Sequence, residues 1–378
     1  MRVVVDMRLL RQSVSLALLW LVTVAAYAQG ADPNSQEDWA KIVDGARKEG
    51  ALVVSIPASA ELRKTLDENF KKKFPGIDLE LITARGPSHA QKILQEKKAK
   101  VDYYDLHVAG TSSIIAAGFV KDGLVEPLLP WLVLSEVKEA KHWWGGHIFA
   151  DKAQRYVYPF MLYLSESLWY NADTVRPEQV TSYDDLLQPR WKGKIAILDP
   201  RTQGSGESSW SFLLRIKGEE FLKKLVAQEL IVNRDQRQIA DSLAKGKALL
   251  TIGVSYYSFQ PFIKAGIPLK AFPTPQEGTY VSSGSGNVVV LKGAPHPNAA
   301  KLFLNWMLSR EGQEIYGRAT GQATRRLDVD TKWTRDFGIV SAKDGLSTER
   351  LRDVENYSEA SLEKWREPGN ALAHKLLN

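Results

Sequence analysis

One loop of the sequence has the composition of an anion-binding site. It contains Gly204, Ser205 and Gly206, and Ser208 and Ser209 follow as a predicted helix begins. Successive backbone N–H groups in a flexible loop, together with the positive end of a helix, favour a negatively charged group. We therefore expect an anion, or another polar ligand, at this loop. A flexible Gly/Ser connector is the alternative.

Two further loops have similar chemistry and also follow predicted strands. One loop consists of Gly110, Thr111, Ser112 and Ser113, and the other contributes Ser59. Ligands of open α/β sheets sit beyond the carboxyl ends of the strands. We therefore expect Ser59, Ser112 and Ser113 to line the same ligand site as the first loop.

The sequence lacks the motifs of the common enzyme classes. It has no phosphate-binding P-loop, no G-x-S-x-G nucleophile motif and no H-E-x-x-H zinc motif. The complete absence of cysteine excludes thiol nucleophiles, cysteine-ligated zinc and iron–sulfur clusters. His142 and His147 are five residues apart, which does not place them on one helix face. We predict a binding protein rather than an enzyme, with a secreted hydrolase as a remote alternative.

The elements that must position these loops alternate between helix and strand. Trp39, Ile42, Val43 and Ala46 have the spacing of one helix face. The apolar run over residues 51–56 is typical of a buried parallel strand. The same alternation recurs to the C-terminus, with predicted strands at residues 78–83, 105–109, 191–199, 248–254 and 286–291. This pattern predicts an α/β fold with parallel sheets.

Length and composition agree with an ordinary globular protein of two domains or lobes. The chain has 378 residues, of which 44% are hydrophobic and 25% are charged. This composition excludes a disordered chain, a fibre and a multispan membrane protein. The net charge of +6 is spread along the chain without a basic stripe that carries aromatic residues, so we expect no nucleic-acid partner.

The first 28 residues have the pattern of a secretory signal peptide. Arg2, Arg8 and Arg11 precede an apolar run, and Ala26 and Ala28 supply the small residues of a cleavage site. We therefore expect export to the periplasm. Because the sequence has no cysteine, we expect no lipid anchor on the mature chain.

Four segments resemble the periplasmic solute-binding proteins of ABC importers, in the branch that includes ferric-iron binders. They carry, in order, the sequences WKGKIAILDP at 191–200, GIPLK at 266–270 with Gly278, GAPHPNAAKLF at 293–303, and LSREGQEI at 308–315. The order and spacing match that branch over nearly all of the predicted mature chain. The sequence is thus identified as a member of the extracellular solute-binding family 1.

The resemblance implies a type II periplasmic-binding-protein fold, with a ligand cleft between two lobes joined by crossing segments. It assigns residues 29–160 and 285–378 to the first lobe and residues 161–284 to the second. It implies a monomer that captures a small ligand by lobe closure and delivers it to a membrane permease. It also suggests an arginine near the cleft, at Arg325 or Arg326.

The resemblance also suggests what the ligand is. Tyr256 and Tyr257 align with an adjacent tyrosine pair that ligates iron in the ferric-binding branch, and the Gly204–Gly206 loop aligns with an anion-cradling loop. This implies bound Fe(III) with a synergistic anion as cargo, and no catalytic cofactor. Both tyrosines can reach one ion only if the preceding strand has ended, because adjacent side chains of a strand face opposite ways. The alternative ligand is an organic anion (a phosphonate, a phosphate ester or a carboxylate), on which the tyrosines stack.

Overall fold

The computed structural model describes residues 33–377 apart from 85, 113, 166 and 167. The predicted signal peptide and Ser113 lie outside these residues. The α-helices are α1 Pro33–Glu49, α2 Ala60–Lys73, α3 Gly86–Lys98, α4 Ser135–Lys138, α5 Ser205–Val226, α6 Gln236–Ala244, α7 Tyr256–Lys264, α8 Pro297–Leu308, α9 Arg310–Thr320, α10 Ala342–Gly345, α11 Leu351–Val354, α12 Glu359–Ser361 and α13 Glu367–Leu376.

The strands are short and mostly buried. They are β1 Ala51–Pro57, β2 Asp78–Ala84, β3 Leu106–Ala109, β4 Val125–Glu126, β5 Tyr158–Pro159, β6 Tyr163–Leu164, β7 Leu168–Asn171, β8 Ile195–Leu198, β9 Ile231–Asn233, β10 Leu250–Ile252, β11 Leu269–Ala271, β12 Val281–Ser282, β13 Asn287–Leu291 and β14 Val340–Ser341. Single turns of 3-10 helix lie between several of them. π-helices span Ile114–Val120 and Leu362–Arg366.

The strands form two mixed sheets and a small third one. The first sheet has the order β2-β1-β3-β13-β4, with β5 also paired to β13; the second has the order β11-β7-β10-β8-β9. Within each, three neighbouring strands run parallel, namely β2, β1 and β3 in the first and β10, β8 and β9 in the second. The third sheet, β12-β6-β14, is antiparallel. The carboxyl ends of the parallel strands supply the loops discussed below.

The predicted elements are present; β1 and β2 are slightly longer than the sequence indicates, and the later strands are shorter. Ile42 and Ala46 are buried on α1, and Leu62, Leu66 and Phe70 are buried on α2, as their spacing predicts. The strand predicted over 191–199 forms only at β8, because residues 189–191 are a 3-10 turn. A π-helix, rather than an α-helix, begins at Ile114, directly after the Gly110–Ser113 loop of the sequence.

The division into lobes stays a prediction, and one segment differs from the predicted assignment. Residues 285–378 were assigned as a whole to the first lobe. In the structure α13 packs on α5, and Leu372, Ala373 and Leu376 join the apolar cluster around the second sheet. Helix α13 therefore lies on the side of the second sheet. Within the described residues no helix is both long enough and apolar enough to cross a membrane.

Candidate functional site

A cleft of about 870 Å³ lies where strand ends of the sheets meet. Many of the residues in its walls are glycines or carry a side-chain hydroxyl. The first sheet contributes residues 57–61 and 109–111, and the second contributes residues 203–205, 253–255, 257 and 258. The segment 282–285, next to β12 of the third sheet, closes another side. A volume of this size suits a small organic molecule or an ion with its ligands.

The anion-binding loop predicted from the sequence is at the start of α5, and Gly204 and Ser205 line the cleft. Gly204 has φ +141° and ψ −159°, a backbone conformation that is essentially restricted to glycine. The hydroxyl of Ser205 donates to the carbonyl oxygen of Gly253 at 2.7 Å, which ties the helix start to the end of β10. The first backbone N–H groups of a helix have no partner within the helix, so this turn can receive an anion.

Gly206 has a different role from the one predicted, because it does not line the cleft. A Cβ at this position would lie 2.3 Å from the carbonyl oxygen of Leu198. A Cβ at Gly253 would in turn lie 2.8 Å from the Cα of Gly206. The two glycines allow α5 to approach the ends of β8 and β10 closely. Gly206 thus positions the loop rather than contacting the ligand.

The predicted serines have unequal roles. Ser59 lines the cleft, and its side chain caps α2 by accepting from the N–H of Leu62. Ser112 is buried outside the cleft lining, and its carbonyl oxygen accepts from the N–H groups of Ile115 and Ala116. Ser112 therefore belongs to the start of the π-helix, which corrects its assignment as a ligand-binding residue. Ser113 is outside the described residues.

Tyr256 is not in the cleft lining, which corrects its assignment as a metal ligand. Its ring stacks at a centroid distance of 4.2 Å on Phe337 and lies 6.0 Å from Trp169. It also packs so closely on Gly321 that a Cβ there would lie 1.9 Å from the Tyr256 ring. Burial raises the pKa of Tyr256, which disfavours the phenolate. This side chain holds α7 against the segment after α9.

Tyr257 does line the cleft, as predicted. The strand has ended by this point, because Tyr256 and Tyr257 open α7. Successive helical residues point in directions about 100° apart, so the pair diverges: Tyr257 faces the cleft and Tyr256 faces the core. The Tyr257 hydroxyl accepts from the amide Nε2 of Gln236 at 3.2 Å. The two tyrosines therefore do not share one ion site.

The sequence did not reveal several polar residues that line the cleft. Tyr280 and Tyr357 reach it from the start of β12 and from the C-terminal segment. The hydroxyls of Tyr280 and Ser209 are 3.2 Å apart. Gln322 also lines the cleft, and its side-chain oxygen Oε1 accepts a hydrogen bond from the backbone N–H of Ser285 at 3.2 Å. These residues come from distant parts of the chain and form no motif, so no sequence signal indicated them.

Basic side chains outnumber acidic ones in the cleft lining. The cationic residues are Arg234, Arg237, Lys264 and Arg366, whereas the acidic ones are Glu61 and Asp235. In the part of the chain that the structure describes, no group of three His, Cys, Asp or Glu side chains could hold a metal ion. An anion is the ligand that this charge distribution favours.

Asp199 anchors two arginines at one edge of the cleft. Its carboxylate accepts from Nε of Arg201 at 2.9 Å and from Nε of Arg234 at 3.0 Å. Burial acts to raise the pKa of Asp199, but the hydrogen bonds from Arg201 and Arg234 outweigh it and lower this pKa to about 2. Asp199 is therefore ionised at neutral pH and holds Arg234 beside the cleft.

Arg325 and Arg326 are fully buried away from the cleft lining. Nε of Arg325 donates to the carbonyl oxygen of Pro159 at 2.6 Å, and Arg326 pairs with Glu136 and Asp328. The expectation of a cleft arginine at these positions is therefore wrong. Both stabilise the packing around Trp143, over whose ring their guanidinium groups lie.

The comparison with known families decides the class of this protein. The sequence profile of the bacterial extracellular solute-binding proteins matches residues 55–314. The chain belongs to this family. The match contains most of both parallel sheet regions and most of the loops that line the cleft.

Curated relatives are similar over part of the chain. An uncharacterised protein of Haemophilus influenzae is 34% identical over 138 residues, which cover 35% of this chain and 38% of that protein. Iron uptake protein A1 of Synechocystis is 30% identical over 160 residues, which cover 39% of this chain and 44% of that protein. The Fe(3+)-binding periplasmic protein of Serratia marcescens is 27% identical over 139 residues, which cover 35% of this chain and 40% of that protein. The chain thus spans less than half of the length of these relatives.

Solved structures confirm the two-lobe type II fold at low sequence identity. Iron-bound HitA from Pseudomonas aeruginosa has a TM-score of 0.62 and 18% identity. The alignment covers 86% of this chain and 99% of HitA. AfuA from Actinobacillus pleuropneumoniae, with fructose-6-phosphate bound, has a TM-score of 0.60 and 20% identity. The alignment covers 87% of this chain and 98% of AfuA. At these identities the likeness establishes the fold alone.

Proposed function

We propose that this protein is the periplasmic solute-binding component of an ABC importer. Family membership and the cleft between two sheets support this role. The chain captures a small solute, its lobes close around it, and the closed form docks on a membrane permease. The mature protein begins after the signal peptide of residues 1–28, acts as a monomer and catalyses no reaction.

The solute that the cleft geometry favours is a small organic anion, such as a phosphate ester, a phosphonate or a carboxylate. The observation that carries this proposal is the start of α5. There Gly204 and Ser205, at the helix start, line a cleft that has four basic and two acidic side chains in its lining. A helix N-terminus and basic side chains act together on a negative group. The hydroxyls of the cleft suit the polar remainder of such a solute.

Ferric iron with a synergistic anion is the second candidate. The names of curated relatives from Synechocystis and Serratia marcescens favour it, and Tyr257 supplies one phenol oxygen at the cleft. Tyr163, Tyr280 and Tyr357 are further phenols of the lining. Because Tyr256 packs in the core, this candidate relies on Tyr257 together with one of these residues rather than on an adjacent pair.

A titration of the mature chain with matched ligands separates the candidates. Inorganic phosphate, fructose 6-phosphate, methylphosphonate, citrate and ferric citrate are compared by thermal shift and isothermal titration calorimetry. We expect one-site binding of at least one iron-free anion and no visible tyrosinate-to-iron band with ferric citrate. A band at one equivalent that disappears in Tyr257→Phe would instead establish the ferric candidate. Failure of every compound to bind to the folded protein would contradict the proposed function.

A further inference from the structure

The C-terminal segment brings to the cleft a charged residue from outside the region that matches the family. The match ends at residue 314, whereas Asn356, Tyr357 and Arg366 all line the cleft. Arg366 is the last residue of the π-helix Leu362–Arg366, directly before α13. The packing of α13 on α5 fixes this segment beside the start of α5. The cleft therefore has a wall that the family match does not describe.

Arg366 differs from the other basic residues of the cleft in its burial. Its exposed fraction is 3%, whereas Arg234, Arg237 and Lys264 are exposed. Among the described residues it is thus the one buried cation of the lining. Interactions of a charge with a bound anion are stronger where water is excluded. The exposed cations attract an anion towards the cleft, but a buried guanidinium contributes more to holding it.

The position of the guanidinium is fixed by its partners. Nε and Nη2 of Arg366 donate to the same carboxylate oxygen of Glu207, at 3.1 and 2.5 Å. Nη1 donates to the carbonyl oxygen of Thr111 at 3.3 Å, a long bond to the loop after β3. A guanidinium has five N–H donors, and these three contacts do not use all of them. Because Arg366 lines the cleft, a solute there can accept from the remaining donors.

Glu207 places this arginine next to the anion-binding turn. Glu207 is three residues after Gly204, in the first turn of α5, and its exposed fraction is 2%. A carboxylate at this position opposes the binding of an anion at the helix start, and the charge of Arg366 compensates for it. We propose that Arg366 is a ligand-binding residue that donates to the anionic group of the solute, and that Glu207 positions it. This inference rests on the proposed function.

The charges of the pair predict effects of opposite sign. Glu207→Gln keeps an acceptor for Arg366 and removes a negative charge from the anion site, so anion affinity rises severalfold. Arg366→Lys keeps the charge but loses the planar fork, so affinity falls about tenfold. The double variant E207L/R366M removes both charges without leaving one of them buried and unpaired. It loses about ten- to a hundredfold in affinity, the effect of a lost charged hydrogen bond.

The chain offers a matched control for the loss of an ion pair. Lys375 of α13 and Glu219 of α5 pair at 3.5 Å, and both side chains are exposed. The double variant E219L/K375M should bind as the wild type does. Circular dichroism and denaturant unfolding show whether each variant is folded. Because Glu207→Gln preserves the hydrogen bond, it gives a result even if a variant of Arg366 fails to fold.

The experiment measures the affinity of the mature chain for inorganic phosphate and fructose 6-phosphate by isothermal titration calorimetry. Tighter binding in Glu207→Gln, weaker binding in Arg366→Lys and E207L/R366M, and no change in E219L/K375M are expected. Equal affinity in the wild type and all folded variants would overturn the assignment of Arg366 and leave the proposed function intact. If the wild type binds none of the five compounds above, the proposed function fails and this inference fails with it.

Discussion

At the scale of single residues, the two adjacent tyrosines have different tasks. Tyr257 is at the cleft and Tyr256 is in an aromatic cluster with Trp169 and Phe337. We expect Tyr256→Ala to lower the free energy of unfolding by about 3 kcal/mol, because it leaves a cavity in the core. Tyr257→Ala should change the stability by less than about 1 kcal/mol. Urea denaturation measures both values, and an equal loss in the two variants would contradict the division of roles.

His107 makes a pH-dependent contribution to stability. It is buried on β3, its Nδ1 is 2.8 Å from the hydroxyl of Ser55, and burial lowers its pKa to about 3, with a smaller effect from His89. The unfolded chain has the ordinary pKa near 6.5. This contribution is therefore complete above pH 6.5 and is lost as the pH falls from 6.5 towards 3. The slope for one such histidine is at most about 1.4 kcal/mol per pH unit.

Replacement of His107 tests this linkage. We expect the free energy of unfolding of His107→Gln to depend less steeply on pH between 6.5 and 4 than that of the wild type. Urea unfolding at half-unit pH steps measures the slope. Exposed His374 provides a control, since His374→Gln should leave the slope unchanged. Parallel curves for the wild type and His107→Gln would show that this histidine is not the source of the dependence.

At the scale of elements, two glycines bring the start of α5 to the strand ends. A Cβ at Gly206 would overlap the carbonyl of Leu198. We expect Gly206→Ala to destabilise the protein by about 1–3 kcal/mol and to weaken anion binding, because the helix start must move. Lys224→Ala, at an exposed position of the same helix, should change neither property. Urea unfolding and calorimetric titration test this, and wild-type values in Gly206→Ala would refute the close-packing argument.

Local sequence patterns predicted the elements but only part of the site. The apolar spacing on α1 and α2 and the Gly204–Ser205 loop are short-range signals, and the structure has them where they were predicted. The assignment of Tyr256 to the ligand site is mistaken because the direction of each tyrosine depends on the turn from β10 into α7. The sequence does not show this turn. The cleft residues Gln322, Tyr357 and Arg366 reach the cleft only through tertiary packing. Spacing along the chain gives no information about such residues.

At the scale of the whole molecule, the C-terminal segment packs beside the second sheet and lines part of the cleft. Deletion of residues 359–378 removes the apolar contacts of Leu372 and Ala373 and leaves buried Glu207 without Arg366. An unpaired buried charge alone costs about 3–5 kcal/mol. We therefore expect the melting temperature to fall by roughly 10 °C for a chain of this length. Scanning calorimetry measures it, and an unchanged melting temperature would contradict the packing role of this segment.

We propose above that a small anion binds in the cleft between the sheets. The most direct test is a calorimetric titration of fructose 6-phosphate into three forms of the mature chain: the wild type, Thr111→Trp and Thr348→Trp. Thr111 lines the cleft, whereas Thr348 is exposed elsewhere. We expect one binding site in the wild type and in Thr348→Trp, and loss of binding in folded Thr111→Trp. Equal affinity and stoichiometry in all three forms would contradict it, since the anion would then bind outside the cleft.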